Sequence, residues 1–169
     1  MKRFYVYIAV LVFILFISAS QNTFNVYAQK SELIDARTGK PVDRKTLSRF
    51  LITGRAVGII PQTSLKFYSS LIETNDEQKV TRNIYYSDNK ADIKKYFKTY
   101  LSEPRKILTR EKIKKKDSTI VERIVSEITG KNEKHYEIVV YAGEKSFVAI
   151  VAEKLDLAVE VEKWLNTQK

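Results

Sequence analysis

Residues 118–152, STIVERIVSEITGKNEKHYEIVVYAGEKSFVAIVA, decide the fold of this chain. Isoleucine and valine recur through 118–129 and turn formers fill 130–133. Two more apolar runs, 135–141 and 146–152, flank Ala142, Gly143, Glu144 and Lys145. β-Branched residues suit a pleated, half-buried surface, and connections this short join antiparallel neighbours. The stretch predicts a three-stranded antiparallel meander. Its first run also fits a helix, because Ile120, Val121, Ile124, Val125 and Ile128 fall at helical spacing with Gly130 as a C-cap. The density of β-branching and the two hairpin-length turns behind it favour strand.

Outward from the meander, 156–168 reads as a terminal helix with Leu157, Ala158, Val161, Trp164 and Leu165 toward the sheet. Upstream, Ile93, Tyr96, Phe97, Tyr100 and Leu101 stand at i, i+3, i+4, i+7 and i+8, one face of a helix that starts after Ser87, Asp88 and Asn89 and stops at Pro104. Strict helical spacing makes this aromatic stripe core, not a platform for stacked bases. Residues 80–86 alternate as a strand, 64–73 suit helix or strand equally, and 55–60 run extended up to Pro61. A short helix is expected over 44–51, capped by Asp43 and ended by Thr53 and Gly54. The fold class that follows is α+β, an antiparallel meander in the C-terminal half packed against amphipathic helices.

The N-terminus carries an address. Lys2 and Arg3 precede an uncharged apolar run over 4–17, then small and polar residues from Ser18, the three parts of a secretory signal peptide. Val26 and Ala28 allow cleavage before Gln29; Ser18 and Ser20 allow it before Gln21. The alternative is an uncleaved membrane anchor, but Ser18, Ser20, Gln21, Asn22, Thr23 and Asn25 interrupt the run short of the roughly 20 apolar residues a span needs. Cleavage of 28 residues from 169 leaves 141, enough for one core without disulfides, and the chain has no cysteine. The organisation expected is a signal peptide at 1–28, an extended leader at 29–42 and a single α+β domain at 43–169. The protein is expected to be exported, periplasmic or secreted.

Positive charge is concentrated. The chain has formal charge +10, and 90–116 holds eleven basic residues against three acidic ones. Beyond the signal peptide the rest of the chain balances. Candidate residues for an anionic partner are Lys94, Lys95, Lys98, Arg105, Lys106, Arg110, Lys112, Lys114, Lys115 and Lys116. A basic patch suits an anionic polymer, a lipid surface or an acidic protein.

Catalytic patterns are sparse. With one histidine and no cysteine, thiol chemistry and structural zinc sites of the cysteine type are excluded. His135, in an expected strand, reads as structural. There is no G-x-S-x-G elbow and no phosphate-binding loop, and Ser87-Asp88-Asn89-Lys90 reads as helix-capping chemistry despite its S-D-N and S-x-x-K strings. Glu122, Glu127 and Glu137 could pair across strands. No catalytic residue, cofactor or metal ligand is assigned. The function expected is a non-catalytic binding or accessory protein of the cell envelope with a basic surface. Alternatives are a structural or assembly subunit of an envelope complex using an exposed sheet edge, and a hydrolase acting on envelope polymers.

Overall fold

The computed structural model describes residues 32–60, 63–114, 118–130, 133–143 and 145–168. The expected signal peptide and its candidate cleavage points, together with Lys115 and Lys116, lie outside the described residues. Nine strands and two α-helices are present in this part of the chain: β1 (Glu32–Ile34), β2 (Pro41–Asp43), β3 (Phe50–Ile59), β4 (Lys66–Thr74), β5 (Lys79–Tyr86), α1 (Lys90–Leu101), β6 (Lys106–Lys114), β7 (Ile120–Thr129), β8 (Lys134–Tyr141), β9 (Ser146–Ala152) and α2 (Leu155–Thr167). Strands β3 to β9 form one antiparallel sheet in the order β3-β4-β5-β9-β8-β7-β6. The expected meander is β7-β8-β9, and its first run is strand.

Alternation along these strands divides the core in two, because successive side chains leave a strand on opposite faces. Val125, Ile138 and Ile150 join Leu157, Ala158 and Val161 of α2, whereas their neighbours Ile124, Val139 and Ala149 join Ile93 and Phe97 of α1. One helix therefore covers each face. An antiparallel sheet with two helices is the α+β arrangement that the patterning predicts.

Three segments differ from expectation or resolve it. The helix expected over 44–51 is a single 3₁₀ turn, Arg44–Thr46, after which the chain enters β3. Asp43 does cap that turn, accepting from the Lys45 N–H at 2.9 Å. Eight residues seldom sustain a helix without tertiary help. Pairing with β4 lets Phe50 and Ile52 meet the α2-side core while Leu51 is buried from the opposite face. Thr53 and Gly54 do not end an element either; they lie in β3 where its register to β4 shifts between Ile52 and Gly54, a bulge. The ambiguous 64–73 is settled as β4.

Within the expected leader, β1 and β2 pair antiparallel, and the Ala36 N–H donates to the Ile52 carbonyl at 2.7 Å, tying this hairpin to the edge of β3. Farther along the same edge Phe67 lies over Gly58, where a Cβ would come within 2.3 Å of the ring.

Candidate functional site

α1 begins as the capping reading requires. Asn89 Oδ1 accepts from the Ala91 N–H at 2.9 Å, and Ser87 Oγ from the Asn89 N–H at 3.1 Å. Aromatic packing then fixes the helix's rotation. Phe97 stacks on Tyr141 of β8 at 4.3 Å between centroids, while Tyr96 and Tyr100 lie 5.5 and 5.4 Å from Tyr85 of β5. Lys94 and Lys98, at helical spacing from Phe97 and Leu101, therefore occupy the flank nearer β8, β7 and β6. Lys95 projects from the back of the helix. All three are exposed and in no ion pair among the described residues.

β6 supplies the second row of cations. Every residue of this edge strand is exposed. Arg110, Lys112 and Lys114 stand opposite Ile124, Glu122 and Ile120 of β7, and Ile124 packs into the α1-side core. These three cations thus leave the sheet on the side that carries α1. Lys106 leaves on the other side, opposite Glu127. Some of the charge is offset: Arg110 binds Glu122 at 2.6 Å, and Arg123 of β7 binds Glu111 at 2.9 Å. Lys112 and Lys114 are in no ion pair among the described residues.

Arg105 does not belong to this surface. Its side chain is only 3% exposed and pairs with Glu137, which is 1% exposed. Its Nη2 donates to the Tyr100 carbonyl at 2.6 Å, and its guanidinium lies 4.8 Å from the Tyr100 ring centroid. The reason is local: Pro104 ends the helix, and Arg105 turns back beneath it to satisfy a carbonyl left free by the last turn. Tyr100 also donates its hydroxyl to Glu137, and Ser126 Oγ stands 3.5 Å from the same carboxyl. Burial pushes the Glu137 carboxyl above its ordinary value, against the pull of Arg105 and Tyr100. Burial and then the Glu137 charge hold the Tyr100 phenol well above its own. This network is a polar clamp between α1 and the sheet. Its signal was present in the sequence, since Glu137 shares the alternation phase of Val139 and Tyr141.

The other carboxylates considered across strands are also held by cations, Glu122 by Arg110 and Glu127 by Lys134 at 2.7 Å. His135, half-buried in β8, has Nε2 3.4 Å from Glu133. Comparison with known proteins finds no family model, no curated protein and no solved structure that matches this chain.

Proposed function

We propose that this protein is an exported, non-catalytic binding or accessory protein of the cell envelope, whose basic surface takes an anionic partner. The observation that carries this reading is the placement of Lys94 and Lys98 on the α1 flank toward β6, with Lys112 and Lys114 leaving β6 on that same side of the sheet. Unpaired lysines along one ledge attract anionic polymers or headgroups and are weakened by salt, because screening acts over about 8 to 10 Å near physiological ionic strength. Arg105 contributes to the ledge only indirectly, by anchoring the end of α1.

A second reading rests on the edge itself. Among the described residues β6 pairs with β7 alone and is exposed along its whole length, so a partner strand could add there in an envelope assembly. Its lysines act against that use, since charge on an edge discourages strand addition.

The experiment is co-sedimentation of the protein with vesicles rich in anionic phospholipid and with an anionic glycan, at low and high salt. Replacing Lys112, Lys114, Lys115 and Lys116 together by glutamine should weaken binding while stability changes by no more than about 0.5 kcal/mol. Equal binding by the quadruple variant, or no binding by the natural protein at low salt, refutes the proposal. Intact-mass measurement of the exported form, expected to start at Gln29 or Gln21, tests the address; full-length chain in washed membranes would favour the anchor.

A further inference from the structure

On the opposite face of the sheet, away from the basic ledge, the register aligns Arg55, Ser70 and Arg82 across β3, β4 and β5. Arg82 is half-buried, and its Nε is buried without a hydrogen-bond partner. Its Nη2 donates to the Ser70 hydroxyl at 3.3 Å. Burial, then the charge of Arg55, lowers its pKa. Neither arginine is in an ion pair among the described residues. The carboxylate that feels Arg55, Asp35, is already held by Arg37 at 3.2 Å. Two guanidinium groups thus flank one strand, one of them half-desolvated, with no counter-charge of their own among the described residues. Such an arrangement is costly unless an anion completes it.

What adjoins the arginines is apolar. The next rank of side chains on this face is Val57, Tyr68, Ile84 and Val148. Val57 is 63% exposed, and Ile59 beyond it 66%. α2 packs on this face through the side chains around Val80, Ile138 and Ile150. The open surface therefore combines an unpaired cationic pair with a contiguous apolar strip, complementary to a molecule that is anionic at one end and apolar along the rest.

We propose that Arg55 and Arg82 hold the carboxylate head of a single-chain amphiphile whose hydrocarbon lies along Val57, Tyr68, Ile84 and Val148. Planar guanidinium groups match a carboxylate geometrically. The site is separate from the lysine ledge and does not depend on it.

The test is titration of the purified protein with dodecanoate below its micellar range, read by calorimetry and by the shift in thermal midpoint, beside butyrate, inorganic phosphate and dodecyltrimethylammonium. Dodecanoate should raise the midpoint and bind at least about tenfold more tightly than each of the others, and Arg55→Gln and Arg82→Gln should each weaken it by about tenfold or more. The quadruple lysine-to-glutamine variant of β6 and the segment after it should bind dodecanoate as the natural protein does. Without ligand, Arg82→Gln should melt no lower than the natural protein, because it removes a half-buried charge that no carboxylate among the described residues pairs; if it melts lower, Arg82 is held by the fold itself and the proposal fails. Arg55→Gln, at an exposed position, carries the binding test independently of folding. Equal binding of dodecyltrimethylammonium shows an apolar surface alone, equal binding of phosphate shows no use for the strip, and absence of dodecanoate binding or its persistence in both variants shows no site. Each of these overturns the inference.

Discussion

Replacing Glu137 by leucine should unfold this protein far more readily than replacing Glu137 and Arg105 together. In the single variant the Arg105 guanidinium, 3% exposed, keeps the Tyr100 carbonyl and the distant Glu103 carboxylate at 3.7 Å, but loses its buried counter-charge. Breaking a buried pair from one side costs about 3–5 kcal/mol. Total stabilities of domains are of order 5–15 kcal/mol, so the loss is about a fifth of the total or more. Arg105→Met leaves the carboxyl with Tyr100 and Ser126 alone and should cost a similar amount. The double variant removes both desolvated charges and fills the space with apolar atoms, so it should lie close to the natural protein or above it. Denaturant unfolding, followed by far-ultraviolet circular dichroism and by the emission of Trp164, gives the four stabilities. A coupling energy of at least about 3 kcal/mol is expected from the cycle. Single variants that each cost under about 1 kcal/mol, with effects that simply add, would refute the clamp between α1 and the sheet.

Two further outcomes can be checked. Trp164 is half-buried against Phe50, with ring centroids 5.4 Å apart, so Trp164→Ala should cost about 2–3 kcal/mol, below the range for a fully buried ring; an unchanged thermal midpoint would show that α2 does not close the core there. Burial pushes the Tyr96 phenol up to about 12 and raises those of Tyr85 and Tyr100 as well. Unfolded tyrosine ionises near pH 10, so above that the native state binds more protons than the unfolded one, and stability should fall as pH rises from about 10 through 12. Denaturant melts across that window, with tyrosinate absorbance as the second probe, test it. Stability that is flat or rising would contradict the burial of these rings.

The sequence determined this protein's elements where one periodicity dominated. Ile93, Phe97 and Leu101 could only make a helix with one core face, and the β-branched runs of β7, β8 and β9 are nearly continuous because a sheet covered on both faces needs apolar residues in both phases. The pattern of an export signal is likewise written in local order alone, in the charge and apolar run of residues 2–17. Tertiary structure decided what local order could not. Residues 44–51 carry a helical pattern, and pairing with β4 overrode it for Phe50 and Leu51. β6 has solvent on both faces and no apolar phase of its own; its strand form is borrowed from β7 through the backbone hydrogen-bond ladder. Charge is the clearest case. Arg105 and Lys106 are adjacent cations in sequence, yet one ends in a buried pair with Glu137 and the other in solvent, because a side chain's electrostatic role is set by which groups the fold brings within a few ångströms. The pairing of Arg55 with Arg82 across Ser70 has the same origin: the residues are far apart in the chain, and only the register of three strands makes them neighbours.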